Sequence, residues 1–259
     1  MRISLFGAGR VATHLGRLLY KQGHEIVQVY SRDLNHAGAL ASQVNANAVS
    51  DITHLITDID LAIIAVSDQA ISQVIEQLSN VLTDVLIVHT SGSTNLSVLT
   101  QYHSRSGVFY PLQTFSFERD VDWANTPLFV EAVQTQDLDV LNTLAQSLSS
   151  RVYQYDSEQR LSLHLAAVFA CNFSNYCYDM AKQVVDAKQV DFSLLYPLIL
   201  ETAKKVTAHD PRQVQTGPAM RGDQNILNMH QQILVDSGRE DLQQCYQMMS
   251  EQISKRQPS

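Results

Sequence analysis

The chain is poor in cysteine, in basic residues and in long apolar segments, and each shortage excludes a class of protein. Its three cysteines, Cys171, Cys177 and Cys245, make neither a disulfide framework nor a zinc-type pairing, so we expect reduced thiols. The formal net charge of −8 argues against nucleic-acid binding, because that needs a basic face. No apolar run is long enough to span a bilayer, so we expect no membrane partner.

Signals for targeting and for metal binding are also missing. A strand pattern begins at residue 2 and leaves no room for a signal peptide, so we expect a cytoplasmic protein. None of the nine histidines forms a His-x-x-x-His pair with an acid, and none stands at ligand spacing from a cysteine. We therefore predict no metal site.

What the chain does have is a strand, a glycine turn and a helix at its start. Residues 2–6 predict the strand, Gly7-Ala8-Gly9-Arg10-Val11-Ala12 follows, and residues 13–22 predict the helix. This is the spacing of a dinucleotide-binding fingerprint: Gly7 allows the tight turn, Gly9 lets backbone approach a pyrophosphate, and the small Ala12 allows close packing. The helix start attracts the phosphates. The alternative is a glycine turn that only packs.

The end of the second predicted strand, residues 25–30, decides which dinucleotide is bound. An acid there would bind the ribose hydroxyls of NAD, whereas an arginine suits the 2′-phosphate of NADP. Ser31 and Arg32 occupy this position, and the first acid, Asp33, comes later. We therefore predict NADP, held in part by Ser31 and Arg32. A solvent-exposed loop arginine is the alternative.

Strand and helix patterns alternate as far as residue 155. Apolar runs at 61–66 and 85–89 predict strands that are buried on both faces, as in a parallel sheet. Ligands of such sheets lie at the carboxyl ends of the strands, so we add Val66 and Ser67 to the predicted cofactor residues. The remaining strands are predicted at 46–49, 107–115, 126–132 and 151–155.

From residue 156 onward only helices are predicted. The first begins at a capping box, Asp156 with Gln159, and is expected to run to about residue 187 and to be largely buried. A second capping box is expected at Ser237. The predicted fold class is therefore α/β: a Rossmann-type doubly wound sheet over residues 1–155, followed by an all-helical C-terminal domain over residues 156–259.

Three further stretches indicate a family. They are His89-Thr90-Ser91-Gly92, Pro111-Leu112-Gln113-Thr114-Phe115 and Gly217-Pro218-Ala219-Met220-Arg221-Gly222-Asp223. With the glycine turn, they make the chain resemble a bacterial family of NADP oxidoreductases in the 6-phosphogluconate dehydrogenase-like superfamily, related to pyrroline-5-carboxylate reductase, prephenate dehydrogenase and deazaflavin-dependent NADP reductases. The resemblance covers nearly the full length. It implies an NADP-binding domain and a helical domain that helps to form a homodimer and to close the active-site cleft.

The resemblance also removes one mechanism. In the β-hydroxyacid dehydrogenase branch of the superfamily, a helix after the Rossmann domain carries a catalytic lysine four residues before an asparagine. Asn172 matches the asparagine, but Val168 stands at the lysine position, and that helix has no lysine before Lys182. A lysine-assisted reaction is therefore not available at the matched position.

Four residues remain as candidates for the chemistry: His89, Gln113, Asn172 and Arg221. His89 could act as general acid or base, or only hydrogen-bond backbone and shape its loop. Gln113 could hydrogen-bond the substrate, and Asn172 is expected to be a buried amide in contact with substrate or cofactor. Arg221 could bind a carboxylate, or it could only pair locally while Asp223 caps the following helix. Tyr110 is a further possible proton donor, with packing as its alternative role. His164 is a further possible acid or base, with a helix–helix polar contact as its alternative role.

These residues favour an NADP-dependent oxidoreductase that transfers a hydride between nicotinamide and a small keto, imine or carboxylate-bearing substrate. The substrate would lie between the strand ends and the helical domain. The alternative is a non-catalytic NADP(H)-binding module that senses redox state through its dimer.

Overall fold

The computed structural model describes residues 1–256, which form two compact units. The first unit is Met1–Asn172 and the second begins at Phe173. This division differs from the predicted domain boundary at 155/156, and that boundary stays a prediction. The predicted helical domain includes residues 257–259, which lie outside the described residues.

Eight strands form one sheet in the order β3-β2-β1-β4-β5-β6-β7-β8. They are β1 (Arg2–Phe6), β2 (Glu25–Tyr30), β3 (Asn47–Val49), β4 (Leu61–Ile64), β5 (Leu86–His89), β6 (Ser106–Pro111), β7 (Leu128–Ala132) and β8 (Val152–Gln154). Neighbouring strands are parallel except for β6 and β7, which are antiparallel. The strand order reverses at β1, and such a switch point is where an open α/β sheet binds its ligand.

Helices cover both faces of the sheet, as the doubly wound prediction requires. In the first unit they are α1 (Arg10–Lys21), α2 (Leu34–Ala41), α3 (Asp68–Ser79), α4 (Ser97–Thr100), α5 (Thr135–Leu148) and α6 (Ser157–Ala167). Residues of α1, α2 and α5 pack with Leu5 and Ile63 on one face, and residues of α3 and α4 pack with Phe6 and Ile64 on the other. The strands divide their side chains in this way because neighbouring residues of a strand point to opposite faces. The predicted Rossmann-type fold class is confirmed.

The helix predicted from residue 156 begins as expected but is neither uniform nor buried. The capping box of Asp156 and Gln159 is present, and α6 is followed by a π-helical segment, Val168–Phe173, and by α7 (Ser174–Asp186). Most of its residues are exposed, so the prediction of a largely buried helix is wrong. The π-helical turn carries more residues than an α-helical turn. It therefore offsets Asn172 from the face that His164 and Val168 share.

The second unit, as far as the structure describes it, is helical. After α7 come a 3₁₀ turn at Phe192–Leu195, α8 (Tyr196–Ala208), α9 (Pro218–Arg221), α10 (Gln224–Asp236) and α11 (Glu240–Ser254). Asp223 caps α10, because its side chain accepts a hydrogen bond from the backbone of Ile226. The capping box expected at Ser237 is wrong: Arg239 is the N-cap of α11, and the Ser237 hydroxyl donates to the carbonyl of Ile233 instead.

Candidate functional site

The glycine turn after β1 has the geometry that its sequence predicts. Gly7 has φ of +117°, and a Cβ added there would lie 2.3 Å from the carbonyl oxygen of Ala65, so only glycine fits. Gly9 is the N-cap of α1, and a Cβ there would meet no atom within 4 Å. The start of α1 is therefore open for close approach of a ligand, which is the property that pyrophosphate binding needs.

The carboxyl ends of five strands, β1, β2, β4, β5 and β6, surround one cleft of about 800 Å³. The nine predicted cofactor residues all line it: Gly7, Ala8, Gly9, Arg10, Val11, Ser31, Arg32, Val66 and Ser67. They meet because parallel strands bring their carboxyl ends to one edge of the sheet. Three of the predicted chemistry-bearing side chains, Tyr110, Gln113 and His164, line the same cleft.

The side chains after β2 are placed to receive an anion. The backbone N–H of Ser31 donates to the carbonyl of Val49 over 3.0 Å, which fixes the start of this loop beside β3. Arg32 is exposed and, within residues 1–256, makes no hydrogen bond or ion pair, so its guanidinium is available to a ligand. Arg10, which also lines the cleft, lies over the ring of Phe117, with its Cζ 5.8 Å from the ring centroid.

His89 ends β5 but does not line the cleft. Its ring is completely buried, its Nδ1 accepts a hydrogen bond from the backbone of Ser91 over 3.1 Å, and Nε2 has no partner among the described residues. Burial, and then the charge of Arg160, lowers the pKa of His89 to about 3, against an opposing effect of Asp68. The imidazole is therefore neutral, and this geometry favours its loop-shaping alternative.

Tyr110 and His164 meet in the cleft, although 54 residues separate them in the sequence. The Tyr110 hydroxyl lies 3.3 Å from Nδ1 of His164, and the two rings form an edge-on contact. Gly92 packs directly against both: an added Cβ would fall 2.6 Å from Nδ1 of His164 and 2.8 Å from the Tyr110 oxygen. Gly92 therefore leaves the space in which the two polar groups meet.

A buried ion pair that the sequence analysis missed supports the wall of the cleft. Arg160 is 1% exposed and pairs with Glu131, and it also donates to the carbonyl of Thr94 over 2.6 Å and to the Ser157 hydroxyl over 3.1 Å. The Ser157 hydroxyl in turn donates to Glu131 and accepts from the backbone of Leu96. Arg160 thus joins α6 and β7 to the loop after β5. The sequence around Arg160, which lies in the first turn of α6, has no pattern that predicts a buried ion pair.

The remaining predicted residues, Gln113, Asn172 and Arg221, are all exposed. Gln113 is exposed at the cleft, where its side-chain oxygen accepts from the backbone of Thr114 over 2.8 Å. Asn172 is exposed, so the expectation of a buried amide is wrong. Arg221 is exposed and ends the four-residue helix α9 of the second unit. Asn172 does not line the cleft, Arg221 belongs to the second unit, and the functional roles of both stay predictions.

Residues 1–256 have neither a cluster of metal ligands nor a helix that could cross a membrane. They contain no group of three or more histidine, cysteine, aspartate or glutamate side chains that could hold a metal ion. Across the same described residues, every helix is too short or too polar to cross a membrane.

A parallel sheet with its glycine turn at the switch point, and a cleft at the strand ends, define the Rossmann-type class of dinucleotide-binding folds. Two family comparisons refine this. Residues 2–92 match the family described as "NADP oxidoreductase coenzyme F420-dependent", and residues 126–253 match the "Domain of unknown function (DUF2520)".

A solved structure from Bacteroides fragilis, described as a "putative NADP oxidoreductase", is 41% identical over 98% of both chains, with a TM-score of 0.93. The chain belongs to this family of NADP oxidoreductases, in which the DUF2520 domain follows the NADP oxidoreductase domain.

More distant relatives share parts of the chain or the fold alone. A protein from Thermotoga maritima is 22% identical over 98% of this chain and 97% of its own, with a TM-score of 0.70. An imine reductase from Myxococcus stipitatus, solved with NADP⁺, is 13% identical over 98% of this chain and 94% of its own, with a TM-score of 0.74. An L-aspartate dehydrogenase from Methanothermobacter thermautotrophicus is 29% identical over 34% of this chain, a match that spans about a third of that enzyme's length (35%).

Proposed function

We propose that this protein is an NADP-dependent oxidoreductase that transfers a hydride between nicotinamide and a small keto, imine or carboxylate-bearing substrate. The observation that carries the proposal is the convergence of all nine predicted cofactor residues on one cleft at the carboxyl ends of the strands. Membership of the NADP oxidoreductase family supports it. Bound NADPH would supply the hydride and its two electrons.

Each group of cleft residues has a distinct part in holding the dinucleotide. The open start of α1 at Gly9 would accept the pyrophosphate, because its backbone N–H groups and helix dipole attract negative charge. Ser31 and the unpaired guanidinium of Arg32 would bind the 2′-phosphate of NADP. Val66 and Ser67 would then contact the cofactor where β4 ends.

Thermal unfolding with NADPH and, separately, with NADH tests the cofactor proposal. A ligand at a thousand times its Kd adds about 4 kcal/mol to the free energy of unfolding, which for a chain of this size raises Tm on the order of 10 °C. We expect such a shift with NADPH and a small one with NADH. No shift with either dinucleotide would contradict the proposed function.

Arg32→Ala isolates the phosphate contact. Loss of a charge-assisted hydrogen bond to the 2′-phosphate should weaken NADPH binding by about tenfold or more and leave NADH binding unchanged. Arg151→Ala, which removes an exposed arginine beside the far edge strand β8, is the matched control. A variant that loses NADH and NADPH binding equally would show that Arg32 does not recognise the 2′-phosphate.

Hydride transfer itself needs a second assay. NADPH oxidation is followed at 340 nm with a panel of carbonyl and imine compounds, since reduction of either class consumes NADPH. Turnover of any member supports the enzyme. Binding of NADPH with a change of assembly state and no turnover would instead favour the redox-sensing module.

We infer that two copies of the chain associate through the second unit. Of its described residues only Ala219, Leu227, Leu234 and Leu242 are buried, which is a small core for so many helices. The large apolar side chains that it exposes include Tyr176, Leu194, Tyr196, Leu198, Leu200, Met229, Ile233, Val235 and Met248. Apolar exposure on this scale marks an interface, and most soluble oligomers pair identical chains.

A further inference from the structure

We propose that Tyr110 is the proton donor of the reaction and that His164 positions it and returns its proton. This inference rests on the proposed function, since it concerns the proton that accompanies the hydride. Val168 stands at the position where the resemblance implies a catalytic lysine, so a side chain at that position cannot supply the proton. Both rings line the cleft at the end of β6 and on α6.

The geometry gives each group one task. With the proton of His164 on Nδ1, the imidazole donates to the Tyr110 oxygen over the observed 3.3 Å, and the phenol proton is left to point toward the cleft. Gly92 lets the loop after β5 approach this pair without a side chain between them. Tyr110 itself is held by ring contacts with Phe129 and His164.

Burial keeps the phenol of Tyr110 protonated. Burial raises the pKa of Tyr110 to about 12, with Asp68 adding to the rise and Arg160 opposing it. A phenol of this kind is neutral at physiological pH and serves as a donor rather than as a base. It gives up its proton readily only if another proton replaces it, which is the part that the adjacent imidazole of His164 can play.

In the proposed reduction, the substrate takes up one hydride and one proton. The unsaturated carbon of the substrate gains the hydride with its two electrons, and the C=O or C=N bond becomes a single bond. The oxygen or nitrogen takes the phenol proton of Tyr110. The phenolate takes the proton from Nδ1 of His164 while Nε2 takes one from solvent, so the imidazole stays neutral, and the ring then returns to its Nδ1-protonated form by proton exchange with solvent. His89 and Gln113 are less suited, because His89 is buried outside the cleft lining and a glutamine amide carries no acidic proton.

Tyr110→Phe tests the donor, with Tyr153→Phe on edge strand β8 as its matched control. General acid catalysis contributes about 10²–10⁴ in rate, so we expect Tyr110→Phe to lower kcat at least about a hundredfold. The Tm shift caused by NADPH should stay unchanged in both variants. Unchanged kcat in Tyr110→Phe would overturn this inference and leave the proposed function standing.

His164→Ala tests the positioning role, with the exposed His54→Ala as control. We expect His164→Ala to have a reduced kcat that added imidazole restores. The kcat of His54→Ala should equal that of the wild type, with or without imidazole. Loss of activity without any rescue would contradict proton return by His164. A wild-type chain that binds NADPH but reduces no member of the carbonyl and imine panel would overturn both the reaction and its donor.

NMR spectroscopy of the ligand-free protein tests the protonation of His164 without any need for turnover. Long-range ¹⁵N–¹H spectra report which ring nitrogen of a histidine carries the proton. We expect a proton on Nδ1 of His164, and a change of that resonance in Tyr110→Phe but not in Tyr153→Phe. A His164 protonated on Nε2 alone would contradict the proposed arrangement.

Discussion

Gly7 and Gly9 lie two residues apart in the glycine turn, yet an added methyl group would meet very different surroundings. At Gly7, φ is +117° and the methyl would lie 2.3 Å from the Ala65 carbonyl oxygen, whereas at Gly9 φ is −80° and nothing lies within 4 Å. Gly7→Ala should therefore lower the free energy of unfolding by more than about 1 kcal/mol. Gly9→Ala should keep the wild-type Tm and lose NADPH affinity by about tenfold or more, because the methyl blocks the pyrophosphate.

Thermal unfolding of both variants, with and without NADPH, checks this pair. The ligand-free scan measures folding and the NADPH-induced shift measures binding, so each variant controls for the other. A Gly9→Ala variant that binds NADPH normally would mean that the ligand does not approach the start of α1.

His89 should make stability depend on pH on the acid side. Its pKa is about 3 in the folded chain and about 6.5 when unfolded, so below pH 6.5 the unfolded state binds more protons. The free energy of unfolding is therefore highest above pH 6.5 and decreases as the pH falls toward 3. His89 contributes about 1 kcal/mol of this decrease per pH unit. Denaturant unfolding at pH 7.5, 6, 5 and 4 measures the slope.

His89→Asn removes this ionisation while an amide oxygen can still accept from the backbone of Ser91. We expect a flatter dependence of unfolding free energy on pH between 6.5 and 4 in this variant than in the wild type. His54→Ala, which alters an exposed histidine, should keep the wild-type slope. Identical slopes in His89→Asn and wild type would rule out a neutral buried His89 as the cause.

At the scale of the elements, α6 depends on one buried charge. Arg160→Met leaves the carboxylate of Glu131 unpaired, and breaking a buried ion pair in this way costs about 3–5 kcal/mol. We expect Tm to fall on the order of 10 °C. The double variant Arg160→Met with Glu131→Gln should recover part of the loss, because no charge remains stranded. Thermal unfolding measures both.

Lys182→Ala is the control for this prediction, since it removes an exposed ion pair with Asp186 on α7 and should leave Tm unchanged. If the Tm of the double variant is no higher than that of Arg160→Met, the unpaired charge of Glu131 is not what destabilises the single variant. The lost contacts of Arg160 with Thr94 and Ser157 would then account for the effect.

Most elements of the sheet could be predicted from local patterns, but their directions and distant contacts could not. The apolar run at 61–66 and the pattern at 25–30 identify β4 and β2 because buried parallel strands lack polar alternation. The same kind of run predicts β7 but contains nothing that sets its antiparallel direction. Likewise, the apolar pattern of the helix does not reveal that residues Val168–Phe173 form π-helical hydrogen bonds instead of α-helical ones.

The candidate site divides in the same way. Its cofactor residues follow strand ends, and strand ends of a parallel sheet converge, so local patterns suffice to place them together. The pairs Tyr110–His164 and Arg160–Glu131 join β6 and β7 to α6 across 54 and 29 residues. Such contacts depend on tertiary packing, and a single sequence contains no direct sign of them.

For the molecule as a whole, the proposed association through the second unit predicts a mass of about twice the 28.9 kDa chain by light scattering coupled to size-exclusion chromatography. Leu194→Glu and Leu198→Glu place charge on side chains that are 71% and 63% exposed, and together they should yield a folded monomer. Val140→Glu on α5 of the first unit is the control and should remain paired. A wild-type chain that elutes at 28.9 kDa would contradict the association.

The sheet ends in strands of only three residues on both sides, β3 at one edge and β8 at the other. Unpaired edge strands invite other chains to add to a sheet, and proteins suppress this growth by keeping such edges very short. An eight-stranded sheet with such short edges offers little template for fibrous aggregation. The proposed association through the second unit would then use helical surfaces, where a closed assembly of fixed size can form.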